Sequence, residues 1–166
     1  MSDLKKLVSQ HPEKVEKIIS RMEIAGLLTT ILAVALMTKQ IAFGNTLLII
    51  GLSVLAWVYT FLGTVAKELF NLHAHKLFAA ALLISYYALA ATMLGMLFIL
   101  MRWQGSLLLM QAGSMATGGM FAYFIYKSFL GKLDDATHRT IINNLIVRML
   151  PALLVTAILI AVYLKT

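Results

Sequence analysis

An all-α, polytopic membrane fold is predicted by three observations. The stretch from Leu77 to Met101 carries no charged residue and is closed by Lys76 on one side and Arg102 on the other. At about 1.5 Å rise per residue, a helix over that stretch outreaches the roughly 30 Å hydrocarbon core of a bilayer. Two further apolar runs precede it and two follow. Finally, 61% of the residues are hydrophobic and 13% charged, with a mean hydropathy of +0.88, far from the composition of a water-soluble domain. The expected architecture is five transmembrane helices plus an N-terminal amphipathic interfacial helix. Residues 1–23 form a cytoplasmic amphipathic segment, and residues 24–166 form one transmembrane domain.

In the N-terminal segment, Val15, Ile18, Ile19 and Met22 follow the spacing of one helix face, with Lys14, Lys17 and Arg21 elsewhere on the surface. Pro12 suits a first helical position, and Glu13 precedes Lys17 by one turn. This segment reads as a helix lying on lipid and ending at Met22. No cleavable signal is expected, because the polar stretch from Ser2 to Glu23 places the first apolar run too late.

The first span, Ile24 to Thr38, is short and borrows length from Met22 and from a snorkelling Lys39. The second runs from Gly44 to Ala66 and the third is the charge-free stretch itself. A tight outer turn at Arg102, Trp103, Gln104 and Gly105 leads into the fourth, Ser106 to Tyr126, with Trp103 at headgroup depth. That fourth span is thin. Ser114, Gly118 and Ala122 recur every four residues, a spacing that lets a neighbouring backbone come close. The expected neighbour is the third span, through Ala88, Ala91, Thr92 and Gly95, because a tight turn makes the two antiparallel.

A connection from Lys127 to Asn144 precedes the last span, and Ile141, Ile142 and Leu145 are read as a lipid-facing approach to that span. Pro151 either frees the Val147 carbonyl and bends a helix that already runs through Val147, or is a first-turn residue of a helix starting near Leu150, where its missing N–H costs nothing; the second reading is preferred. Gly44-Asn45-Thr46-Leu47-Leu48 resembles Gly105-Ser106-Leu107-Leu108-Leu109, a likeness attributed to shared apolar-hairpin composition.

The five-span arrangement puts Lys5, Lys6, Lys14, Lys17, Arg21, Lys67, Lys76, Lys127, Lys132, Arg139 and Arg148 on one side and Lys39, Arg102 and Lys165 on the other. Basic residues stay preferentially in the cytoplasm, so the N-terminus is expected inside and the C-terminus outside, in the inner membrane of a bacterium. The formal charge of +7 is thereby spent on anionic headgroups, not on nucleic acid. With no cysteine, disulfides and thiolate metal sites are excluded.

Chemistry-bearing residues are few. All four histidines fall on the expected cytoplasmic side, and Glu68, His73, His75, Asp134 and His138 form a candidate metal shell, imidazole and carboxylate being ligands suited to zinc or iron. Asp134 and His138 would share a helix face. No catalytic arrangement and no cofactor are implied. No Asp, Glu, Lys, Arg or His falls near the middle of an expected span, which disfavours ion-coupled transport. Hydroxyls such as Thr29, Thr30, Ser85, Tyr86 and Thr92 are read as bonding to helices, and Gln111 is the polar group least comfortable in lipid.

The expected role is a non-catalytic integral membrane subunit that packs with, organises or stabilises a larger complex. Its partners are other membrane subunits or copies of itself, besides the anionic lipid surface. The alternatives are a channel or carrier for a small neutral or hydrophobic solute, and an enzyme using the cytoplasmic-face His and Asp residues.

Overall fold

The computed structural model describes residues 2–41, 43–72, 75–130 and 136–163. Over these residues the chain forms six helices: α1 (Ser2–Gln10), α2 (Pro12–Thr38), α3 (Phe43–Leu69), α4 (Lys76–Leu100), α5 (Ser106–Leu130) and α6 (Ala136–Tyr163). Four of them, α2, α3, α4 and α6, are long and apolar enough to cross a membrane. The chain is therefore an all-helical protein with the composition of an integral membrane protein. Helix α5 is as long as α4. Its Gln111, Gly113, Ser114, Thr117, Gly118 and Gly119 dilute its apolar character.

Two element boundaries differ from the sequence reading, for one reason. The interfacial segment and the first span are not separate: α2 runs unbroken from Pro12, the first helical residue, to Thr38. Likewise α6 starts at Ala136 and carries Pro151 inside it, not in its first turn. A charged residue at the edge of an apolar run does not end a helix. Backbone hydrogen bonding continues until a breaker or cap intervenes, and between residues 12 and 38 the only weak helix former of that kind is Gly26. In α6 the proline removes one N–H donor, which leaves the Val147 carbonyl without the partner it would have had one turn on.

Helix α4 is the centre of the bundle. It packs against α3, α5 and α6, while α2 packs on α3 and α1 rests on α2 and α3. Leu82, Leu89 and Thr92 of α4 are fully buried. Of the most apolar stretch of α4, 67% is buried inside the protein, against 22% for α2. The charge-free stretch is thus mostly buried in the bundle, with Leu77, Leu83, Ile84 and Leu100 left exposed.

Close helix contacts are made by glycines. A Cβ at Gly51 would collide with the Thr30 side chain and lie 2.9 Å from its backbone nitrogen, which brings α2 and α3 together. A Cβ at Gly95 would lie 2.5 Å from the Met110 Cα, and one at Gly113 would lie 2.7 Å from the Thr92 nitrogen, which does the same for α4 and α5. The Thr92 and Thr117 hydroxyls meet at 3.0 Å across that second seam. The turn between these helices follows the sequence reading. Arg102 at φ 55° and Gly105 at φ 76° reverse the chain, and the Trp103 N–H closes on the Phe98 carbonyl at 2.9 Å.

The third correction concerns the approach to the last span. Ile141, Ile142 and Leu145 are 6%, 1% and 0% exposed and belong to the core, not to a lipid-facing surface. With Met149, Ala152 and Thr156 they form one stripe of α6 at helical spacing, turned toward α4 and α5.

Candidate functional site

Four helices each contribute one polar side chain to a cluster inside the bundle. On α2 the buried stripe runs Ile19, Glu23, Gly26, Ala33, which puts a carboxylate on the face that meets the bundle. Glu23 is 7% exposed. On α6, Arg148 follows Leu145 by three residues and so shares its inward side. The Arg148 guanidinium donates to the Glu23 Oε2 twice, from Nη2 at 2.7 Å and from Nε at 3.1 Å. The Tyr59 hydroxyl of α3 donates to the other carboxylate oxygen at 3.0 Å, and Arg148 Nη1 donates to the Tyr86 hydroxyl of α4 at 3.3 Å. Both tyrosines are buried, at 2% and 1% exposure. Each charge thus has a partner of opposite sign and a neutral hydroxyl, the condition under which a buried ion pair is tolerated.

Glu23 and Arg148 overturn the expectation that no ionisable group lies near the middle of a membrane helix. Glu23 stands well inside α2 and Arg148 well inside α6. With it falls the sequence argument against ion-coupled transport.

Arg148 lines two cavities. One, of about 430 Å³, is largely apolar: Leu27, Leu52, Leu55, Met93, Met96 and Pro151 contribute to its wall, and Glu23, Thr30, Tyr59 and Arg148 supply its polar groups. The other, of about 310 Å³, reaches Arg148 and Tyr86 from the side of Glu16, Ser20 and Asn144. Among the described residues, no Cα of α2 lies within 8 Å of a Cα of α6. These two helices form opposite walls of the apolar cavity without packing together, and its rim carries the exposed side chains Ile24 and Leu27 on one side and Val147 and Val155 on the other.

The candidate metal residues are brought together only in part. His75, before the first turn of α4, and His138, in the first turns of α6, meet with ring centroids 4.5 Å apart and edge to face. Glu68 lines a different cavity, between α3 and α4, with Lys67 and Lys76. His73 and Asp134 lie outside the described residues. Among the described residues no three His, Asp or Glu side chains converge as metal ligands would.

For the small residues of α5, the side facing α4 is Met110, Gly113 and Thr117, one residue round from Ser114, Gly118 and Ala122. Ser114 donates to the Gln111 carbonyl of its own helix, Ala122 is exposed, and a Cβ at Gly118 would touch only Leu153, at 3.9 Å. On the α4 side Ala88, Thr92 and Gly95 are buried and Ala91 half-buried. Thr29, Thr30, Ser85, Thr92 and Thr156 each donate to a carbonyl four residues back. Gln111 is exposed.

Sequence reasoning missed the Glu23, Tyr59, Tyr86 and Arg148 cluster. The signal was the lack of a helix breaker between Pro12 and Ile24 and between Arg139 and Pro151, which makes both charges interior helix residues. No protein-family model, no curated protein and no solved structure matches this chain.

Proposed function

We propose that this chain is a membrane carrier or binding protein for a small, neutral amphipathic solute, taken up sideways from the bilayer between α2 and α6. One observation carries the reading: a buried carboxylate and a half-buried guanidinium lie at the wall of an apolar cavity between two helices that do not pack on each other. The cavity volume falls in the range of small-molecule sites, roughly 300 to 1,000 Å³, and such sites are mostly apolar with a few convergent polar groups. A charge pair held inside a membrane bundle is costly and marks pathways and binding sites. Glu23 accepts hydrogen bonds and Arg148 donates them, so together they suit the head of an alcohol, amide or glycerol ester, whose apolar tail lies along Leu52, Leu55 and Met96. In this reading α5 also crosses the membrane. The ends of the helices near Lys14, Lys67, Lys127 and Arg139 face the cytoplasm, because they carry the basic excess.

The test is thermal unfolding of the detergent-solubilised chain with monodecanoyl glycerol. A ligand that binds only the folded state raises the midpoint by mass action. The expected result is a rise in the wild type and in Leu108→Ala, a position 74% exposed on α5, and none in Val155→Trp, which plugs the cavity mouth. An equal rise in Val155→Trp, or none in the wild type, overturns the proposal.

A second reading is that of a non-catalytic subunit packed against other membrane subunits or against a copy of itself. The uncovered length of α2, with Ile24, Leu28, Ile31 and Leu32 all more than half exposed, favours it. Particle mass after extraction in mild detergent separates the two: a lone chain supports the carrier, and a defined larger complex supports the subunit.

A further inference from the structure

We propose that the cavity at the joined ends of α4, α5 and α6 is a binding site for the phosphate of an anionic phospholipid. It is separate from the Glu23 and Arg148 cluster. Its volume is about 520 Å³. Three helices bring four nitrogen-bearing side chains to it: His75 and Lys76 at the start of α4, Lys127 in the last turn of α5, and His138 near the start of α6. Among the described residues no carboxylate lines it.

The two imidazoles, edge to face at 4.5 Å, stand close enough for one oxyanion to take a hydrogen bond from each. The two ammonium groups are compact donors of the kind that hold phosphate as point charges. Phe78 packs against His138 at 4.5 Å and against Phe124 at 6.4 Å, so the aromatic wall fixes the His138 ring in place and turns the rest of the cavity apolar.

That wall decides between a lipid and a free anion. A soluble phosphate has no use for Phe78, Phe124 and Ile142, whereas a phospholipid does. Leu77, 87% exposed, adjoins the cavity from outside and offers an acyl chain a continuous apolar path. The position also fits, because the charge-free stretch begins one residue after Lys76, at the depth where headgroups meet hydrocarbon.

The experiment is native mass spectrometry of the full chain released from detergent, titrated separately with phosphatidylglycerol and phosphatidylcholine. Phosphatidylglycerol is expected to be retained at least tenfold more strongly. Because a basic residue near an anionic headgroup contributes roughly fivefold in affinity, Lys76→Gln with Lys127→Gln should weaken retention by about 25-fold. His75→Gln with His138→Gln should weaken it as well. Lys67→Gln, which alters the neighbouring cavity between α3 and α4, should leave retention unchanged. Equal retention of the two lipids, or an unaltered preference in the lysine variant, overturns the proposal. Displacement of phosphatidylglycerol by millimolar inorganic phosphate overturns the lipid assignment and makes the site one for a free anion.

Discussion

Removing one member of the Glu23 and Arg148 pair strands the other. Glu23→Ala leaves a guanidinium against Tyr86 and an apolar wall; stranding a fully buried charge costs about 3 kcal/mol or more, and with the Arg148 side chain 24% exposed the loss should stay below that. Replacing both, as Glu23→Leu with Arg148→Met, leaves no stranded charge and should recover most of that loss. Unfolding midpoints of the three purified chains check this. A double variant as unstable as the single one would show that the polar cluster contributes shape, not charge. Tyr59→Phe removes one hydrogen bond to a carboxylate and should cost about 1.5 kcal/mol, a smaller but resolvable change in the same assay. At this scale the sequence was least legible. Glu23 and Arg148 each abut an apolar run, and hydropathy assigns such residues to the water; their inward direction depends on the helix continuing past them, which is a property of the backbone. Tyr86 is legible only as a hydroxyl bonding within the bundle and Tyr59 shows nothing in a linear reading; neither names Arg148 or Glu23 as its partner.

Among the helices, the sharpest expectation concerns α5. Gly113→Leu sets a side chain where the Thr92 backbone already lies, so α4 and α5 must separate and lose the Thr92 and Thr117 contact. Gly119→Leu places the same volume where no atom lies within 4 Å and should be tolerated. Thermal unfolding, or accessibility of a cysteine introduced at Met110, distinguishes the two. The small-residue character of α5 was readable from the sequence, and so were its start, the tight turn before it and its pairing with α4. Which glycine meets the neighbour was not readable, because Gly113 and Ser114 differ by only one residue of helical phase, and that phase is set by how both helices pack. The same limit applied to the stripe Ile141, Ile142 and Leu145, where an apolar face announces burial without saying whether lipid or protein does the burying.

For the molecule as a whole, the expected orientation rests on ten basic residues against three, once Arg148, which lies inside the bundle, is set aside. A reporter fused after Thr166 should be active only outside the cytoplasm, and one placed near Asp134 only inside; the reverse pattern would invert the bundle. The layout behind this is simple. Helices α2, α3, α4 and α6 enclose the apolar cavity on four sides, and three of the four joints are packed helix against helix. At the fourth, between α2 and α6, the enclosure is a split ring, and the Arg148 side chain acts as its clasp. A ring of this kind opens at its gap before it opens along its axis. Contents would therefore pass into the leaflet beside α2 without crossing the plane of the membrane, and the width of the gap would follow whatever competes with Glu23 for that one guanidinium.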